Sequence, residues 1–271
     1  MSEISAKTVM ELRDATGISM MKCKQALIAS NGDKQAAIEW LRKQGVAAAG
    51  KFSGRDTPNG AVGMAVAGGK GALVLLGCQT DFVANTDDFK AAVARLAQAA
   101  LAGGHATPEA LATAQIDGRS VADTVTAMIQ KIGENIKVAD VKLVAGAVAA
   151  GYNHGGRVAA LVAGEGADLE ALRKIAMHVA SSEPPPVALD RASVDAALVA
   201  KEEEILMATA EVQAKPEAMR PKIVQGKLGR FFKENCLVEQ AMLLDANDGE
   251  SVDAYAKRKG VKPTAFVRIK V

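Results

Sequence analysis

Three glycine-bearing stretches have the residue types of known chemical sites, and none completes one. Gly63 and Gly68 have the spacing of a phosphate-cradling P-loop. Position 69 is Gly where that loop needs Lys, and no Ser or Thr follows Lys70. The stretch also joins two strand-like runs, whereas a P-loop opens a helix; a hairpin turn accounts for the glycines. Gly164-Glu165-Gly166 follows a strand pattern and opens a helical one, but Leu169 stands where a dinucleotide fingerprint has its third glycine. His154-Gly155-Gly156 has the look of a hydrolase oxyanion segment, yet the chain contains no Gly-x-Ser-x-Gly elbow, so it reads as a glycine-rich turn. His105, His154 and His178 are scattered, as are Cys23, Cys78 and Cys236, with no Cys-x-x-Cys or His-Glu-x-x-His. The cysteines are odd in number and read as small buried hydrophobes, not as a disulfide framework.

Two other stretches carry a different kind of chemistry. Thr80-Asp81-Phe82-Val83 lies between a buried strand and a helix. Phe82 there either folds back on the core or projects as a wedge into a protein partner, where few loop residues bury as much area as an aromatic. Met20 fits the apolar stripe of its helix, while Met21 is one residue off it, and an exposed Met makes an adaptable contact.

The elements that position these residues follow from capping and periodicity. Residues 1–55 read as three short helices. Ser5, Ser19 and Asp33 are the caps, and Gly17 and Asn31-Gly32 are the breaks. The stripes are Val9, Leu12 and Ala15, then Met20, Cys23, Ala26 and Leu27, then Ala37, Ile38 and Leu41. Residues 53–60 form a polar linker. Strands follow at 61–67 and 72–79 around a turn at Gly68-Gly69-Lys70-Gly71, then helices at 87–101 and 120–132. Gly146-Ala147-Val148 repeats the opening Gly60-Ala61-Val62. A turn at Asn153–Gly156, a strand at 157–163 and a helix at 168–181 complete a second strand–turn–strand–helix unit. Pro184-Pro185-Pro186 ends that helix. Helices at 192–212 and 216–233 make an antiparallel hairpin, with Glu202-Glu203-Glu204 a solvated face. Strands at 237–244 and 264–271 flank a helix near 250–259, so the hairpin reads as inserted into the second unit.

Bulk composition excludes several classes. The chain has 271 residues, enough for more than one domain, and nine aromatic rings (one Trp, two Tyr and six Phe). That scarcity does not suit a binder that stacks nucleic-acid bases, and a formal charge of +2 argues against a dominant polyanion surface. Residues 1–55 hold nine Lys/Arg and five Asp/Glu, hence +4, which leaves −2 for the rest. A basic helical module on a mildly acidic body suggests a docking unit beside the plainer reading of a solvated face. No apolar run spans a bilayer, and the first residues lack a signal or transit pattern, so the chain reads as cytoplasmic.

Several motifs in a fixed order resemble the bacterial translation elongation factor Ts family along nearly the whole chain. They are Glu11-Leu12-Arg13, Thr16-Gly17 and Met20–Leu27 followed by Asn31-Gly32-Asp33; Cys78–Ala84; Lys131–Ile136; and His154–Arg157 followed by Ile175–Ala180. The resemblance implies an α+β fold: a three-helix module similar to ubiquitin-associated domains over 1–55, a first core subdomain over 56–140, a second over 141–186 and 235–271, both with antiparallel sheets, and an inserted helical hairpin of dimerisation type over 187–234. It implies guanine-nucleotide exchange on elongation factor Tu, without covalent chemistry, cofactor or metal. The implied partner contacts are Arg13, Met20, Met21 and Lys24 in the module, and Asp81, Phe82, Ile132, Gly133 and His178 in the core. His178 also fits a packed position inside its helix. Thr80-Asp81-Phe82-Val83 is implied as the wedge that displaces the partner's Mg²⁺ and β-phosphate ligands. No direct nucleic-acid or membrane contact is expected; a homodimer or a 2:2 complex with elongation factor Tu stays open. Gln240-Ala241-Met242-Leu243 departs from the family's Gln-Pro-Phe-Val, which puts contacts of this segment to a second body of the partner in doubt. The sequence ends at Val271, where some members continue into a helical module, so no role for that module is expected. A non-exchanging adaptor and an enzyme on the α+β core are the competing readings; a wedge at a magnesium site counts against the first, and the lack of a nucleophile–base motif against the second.

Overall fold

A computed structural model describes residues 4–271. They fall into two compact units, one of residues up to 63 with 74–141 and Val271, the other of residues 64–73 with 142–270.

The first unit opens with α1 (Ala6–Thr16), α2 (Met20–Ala29) and α3 (Lys34–Phe52). Ser5 accepts from the Thr8 N–H and Asp33 from the Ala36 N–H, each satisfying an orphan donor of a first turn. Gly17 closes α1 in the left-handed region, and Asn31 and Gly32, both at positive φ, break the chain after α2. Val9, Leu12, Ile18, Cys23, Ala26, Leu27, Ala37 and Leu41 form the module's own core. Three details depart from the sequence reading. Ser19 sits at the N-cap but its side chain makes no capping bond. Ala15 is exposed while Ile18, in the turn, is buried. Met20 is 41% exposed, because α2 faces the core with Cys23, Ala26 and Leu27 and its first turn lies outside that stripe.

After the linker come β1 (Asn59–Ala67), β2 (Lys70–Cys78), α4 (Asp81–Ala84), α5 (Asp87–Gly103), α6 (Pro108–Ala112), β3 (Gln115–Ile116), β4 (Arg119–Ser120), α7 (Val121–Ile132) and β5 (Ile136–Ala145). The sheet order is β1-β2-β5. Phe89, Val93, Leu96, Ala97 and Ala100 give α5 one buried face at helical spacing. A Cβ at Gly63 would lie 2.3 Å from the Val93 carbonyl oxygen, so glycine there lets α5 approach the strand.

The second unit contains β6 (Val148–His154), β7 (Val158–Glu165), α8 (Leu169–Ser181), α9 (Ala196–Ala208), α10 (Ala210–Gln213), α11 (Arg220–Asn235), α12 (Val252–Arg258) and β8 (Lys262–Lys270). β7 is the central strand, antiparallel to both β6 and β8. Its residues Ala160 and Val162 pack with Leu172, Ile175 and Val179 of α8 and with Tyr255 of α12. The two three-stranded sheets share one plan: a hairpin turning through paired positive-φ glycines, Gly68-Gly69 and Gly155-Gly156, then helix, then a later strand paired with the second strand of the hairpin. The fold is α+β.

The inserted hairpin is more broken than its periodicity predicts. Asp190 caps a 3₁₀ turn at Arg191–Ser193, and Asp195 starts α9 anew by accepting from the Ala197 N–H. Thr209, extended at ψ 141°, separates α9 from α10. Pro216 opens a second 3₁₀ turn, so the proline in the first turn of α11 is Pro221. Val212, Val224 and Leu228 hold the hairpin together. The expected strand over 237–244 is absent. Leu237–Glu239 form a 3₁₀ turn, and only an isolated bridge, Ala241 to Ser251, remains. Its backbone is claimed elsewhere: Leu237 and Val238 donate to the Ala188 and Leu189 carbonyls. Among the described residues no helix is long and apolar enough to cross a membrane.

Candidate functional site

The site grows from the end of β2. Cys78 is buried there, and the chain leaves the sheet through Gln79 and Thr80. Thr80 is extended, at φ −120° and ψ 149°, and its Oγ1 accepts from the Val83 N–H to cap the single turn α4. The strongest restraint comes from 54 residues away. Glu134, just past the end of α7, accepts from the Gln79 and Thr80 backbone N–H groups at 3.0 Å and from the Thr80 hydroxyl at 2.6 Å. Such charge-assisted bonds are shorter and stronger than neutral ones. Gln79 is held twice more: its carbonyl accepts from Asn59 and its Oε1 from the Asn135 N–H. The turn is thus tied to the fold at Gln79 and Thr80, and its backbone there is fixed before any ligand arrives.

One turn of helix on that anchor sorts its side chains. Ala84 is buried and Val83 half-buried, so Phe82 points away and is 82% exposed. Asp81 beside it is exposed too, and its carbonyl accepts from the Asn85 side chain. The alternative in which Phe82 folds back on the core does not occur. An isolated ring this exposed forgoes about 2 kcal/mol of burial free energy that a partner surface can supply.

The helical module joins the same locus. Lys22 donates to the Gln130 carbonyl at 2.9 Å, and the Gln130 side chain, itself buried, donates to the Leu41 carbonyl. Arg42 grips Asp123 through two contacts of 2.9 Å. A Cβ at Gly17 would sit 3.7 Å from the Lys131 side chain, so the α1–α2 junction abuts the end of α7. Lys131 also reaches Asp88 at 2.8 Å and holds that exposed carboxyl below its usual range. Gly133, at φ 84°, ends α7 and turns the chain toward Glu134. A continuous set of contacts therefore ties the Met20–Lys24 turn to Ile132-Gly133 and on to Thr80–Val83. Arg13, Met20, Met21, Lys24 and Gly133 are exposed and Ile132 is half-buried.

His178 is placed differently. It lies in the second unit and is 1% exposed. Its Nδ1 accepts from the Leu243 N–H at 3.3 Å, so Nε2 carries the proton and donates to Gln240 Oε1 at 2.9 Å. Burial pushes its pKa down, opposed by the Gln240 bond. Gln240 in turn donates to the Pro184 and Glu234 carbonyls. In this conformation His178 has no exposed surface for a direct contact; it holds the 240–243 segment from behind. Met242 is buried there and Leu243 exposed, so the site is apolar at its rim. The sequence reading missed Glu134, Gln130 and Gln240 as restraints. An acid directly after a helix-ending glycine was the available signal for Glu134; the two glutamines had none.

The other candidates resolve into structure. Gly164 meets the Lys262 carbonyl at 2.3 Å from an added Cβ, so close strand approach requires it. All three cysteines are buried, and burial raises the Cys236 thiol to about 11. Among the described residues no cluster of three His, Cys, Asp or Glu side chains is arranged to hold a metal.

The family model for Elongation factor TS matches residues 79–271. Elongation factor Ts from Ruegeria pomeroyi is 40% identical, over 99% of this chain and 92% of the relative. Elongation factor Ts from Psychrobacter sp. strain PRwf-1 is 40% identical over 100% and 92%. That of Pasteurella multocida is 40% identical over 100% and 93%.

Proposed function

The chain belongs to the elongation factor Ts family of translation elongation factors, and from that premise we propose that it is a guanine-nucleotide exchange factor for elongation factor Tu. The observation that carries the mechanism is Phe82, exposed on a single helical turn whose N-cap residue is tied to Glu134. A fixed backbone presenting one large apolar side chain delivers its binding energy without first ordering a loop. Phe82 enters between elements of the GTPase, and Asp81 next to it approaches the region of Mg²⁺ and the β-phosphate. Met20, Met21, Arg13 and Lys24 grip the same GTPase domain from the helical module.

Exchange then follows from linkage. A wedge that fits only where the Mg²⁺ and phosphate ligands have moved binds nucleotide-free elongation factor Tu more tightly than the GDP form. Reciprocally it weakens GDP binding by the same factor. No bond is made or broken, so the protein is not an enzyme in the chemical sense, and the excess of free GTP sets the direction. Stopped-flow release of fluorescent GDP from elongation factor Tu tests this. Wild-type protein accelerates release strongly; an unchanged release rate sinks the reading.

A further inference from the structure

We infer that Met20 and Met21 form an oxidation-sensitive site that switches partner binding off without unfolding the protein. The inference rests on the exchange-factor reading, which makes this pair a contact. Its starting observation is the distribution of sulfur. All three thiols are buried, and Cys236 is held protonated by its surroundings, so oxidants that act on exposed thiolates find none. The exposed sulfur side chains among the described residues are Met10, Met20, Met21 and Met219. Met21 is the most exposed of them at 68%, and it stands next to Met20 in the first turn of α2.

The surroundings of the pair decide what oxidation does. Neither side chain belongs to the module's core, which Cys23, Ala26 and Leu27 supply from α2. The neighbouring Lys22 ties α2 to the Gln130 carbonyl, so the pair is presented on a fixed base. Modifying Met20 and Met21 therefore leaves the core and the tie intact and changes only the presented surface. With hydrogen peroxide, the thioether sulfur attacks one peroxide oxygen and the O–O bond breaks. The sulfur is oxidised by two electrons to the sulfoxide, and the other oxygen leaves as water once a proton has moved to it. An apolar, adaptable side chain becomes a strongly polar one that accepts hydrogen bonds. A partner surface that receives apolar methionine has no donors for it, and the desolvation of the sulfoxide oxygen goes uncompensated.

The test uses full-length protein partly oxidised with hydrogen peroxide and passed over immobilised nucleotide-free elongation factor Tu. Mass spectrometry then compares sulfoxide content at each methionine in bound and unbound fractions. Sulfoxide at Met20 and Met21 is expected to be enriched roughly tenfold in the unbound fraction, the effect of losing one apolar anchor. Sulfoxide at Met10 and Met219 is expected to partition evenly. In the release assay, treated wild type and treated Met10→Leu/Met219→Leu protein lose the same fraction of their rate. Treated Met20→Leu/Met21→Leu protein keeps the rate of its own untreated form. Methionine sulfoxide reductases restore treated wild type, and its thermal unfolding midpoint matches that of untreated protein. Even partition of Met20 and Met21 sulfoxide, or equal loss in the Met20→Leu/Met21→Leu protein, overturns the switch and leaves the exchange reading standing. Failure of untreated protein to be retained or to accelerate release overturns the exchange reading and the switch together.

Discussion

The turn at Thr80–Val83 and the segment at 240–243 are both short, irregular and anchored by polar side chains, yet they present opposite things. In the first, Glu134 and Asn59 hold the backbone, Asn135 holds the Gln79 side chain, and Phe82 is left outside. In the second, His178 and Gln240 hold the backbone from within, and the apolar Met242 goes inside with them. Polar restraint fixes the chain in both places, but only the first couples that rigidity to a large exposed apolar side chain. On the proposed function the first acts on a partner, while the second ties the end of the hairpin to α12.

Breaking that contrast begins with Phe82→Ala. Exchange on elongation factor Tu is expected to fall on the order of a hundredfold, the scale of an aromatic anchor. The thermal midpoint stays put, since an exposed side chain contributes within about 0.5 kcal/mol. A variant that exchanges normally removes Phe82 from the mechanism. His178→Ala should reverse the pattern. It leaves Gln240 Oε1 and the Leu243 N–H without their partner and opens a cavity, so chemical denaturation should show a loss of about 2–4 kcal/mol. The GDP-release rate at saturating protein should hardly move; a large drop with unchanged stability would mean that His178 works at the surface after all.

Glu134→Gln is expected to act in between. The side chain keeps its shape but loses the charge and one acceptor, weakening the hold on Gln79 and Thr80 by about 1–2 kcal/mol. Hydrogen exchange at those two amides should speed up, and nucleotide release should slow by roughly tenfold or less. Unchanged amide protection would show that the turn does not depend on Glu134. The smallest expected effect is in pH. His178 has a folded pKa below the unfolded value near 6.5, so the unfolded chain binds the proton more readily. Stability from this residue is complete above about pH 6.5, falls as pH drops below it, and levels off once pH passes the folded pKa. Between about pH 7 and 5 the stability of His178→Gln should therefore decline less than that of wild type. Parallel curves would show that His178 is no more neutral folded than unfolded.

Much of the architecture was readable in the residues because it is local. Ser5 and Asp33 cap helices where an oxygen is needed three positions before a free N–H. Gly68-Gly69 and Gly155-Gly156 turn hairpins because both positions have positive φ. The strand expected at 237–244 failed for a non-local reason: the Leu237 and Val238 N–H groups bond to residues 188 and 189, and the Leu243 N–H to His178, instead of to a neighbouring strand.

The sequence by itself determined the family and the α+β plan and singled out Phe82 and Met21 as candidates, since these rest on residue types, short spacings and ordered motifs. Burial is a different kind of quantity, because it depends on what folds against a residue from far along the chain. Met20 fits an apolar stripe and is nonetheless exposed; His178 belongs to a motif of implied contacts and is nonetheless interior. The bonds that decide the two anchored segments join Thr80 to Glu134 and His178 to Gln240, across 54 and 62 residues. No local pattern encodes those pairings, so only the tertiary structure separated the turn that presents a side chain from the segment that hides one.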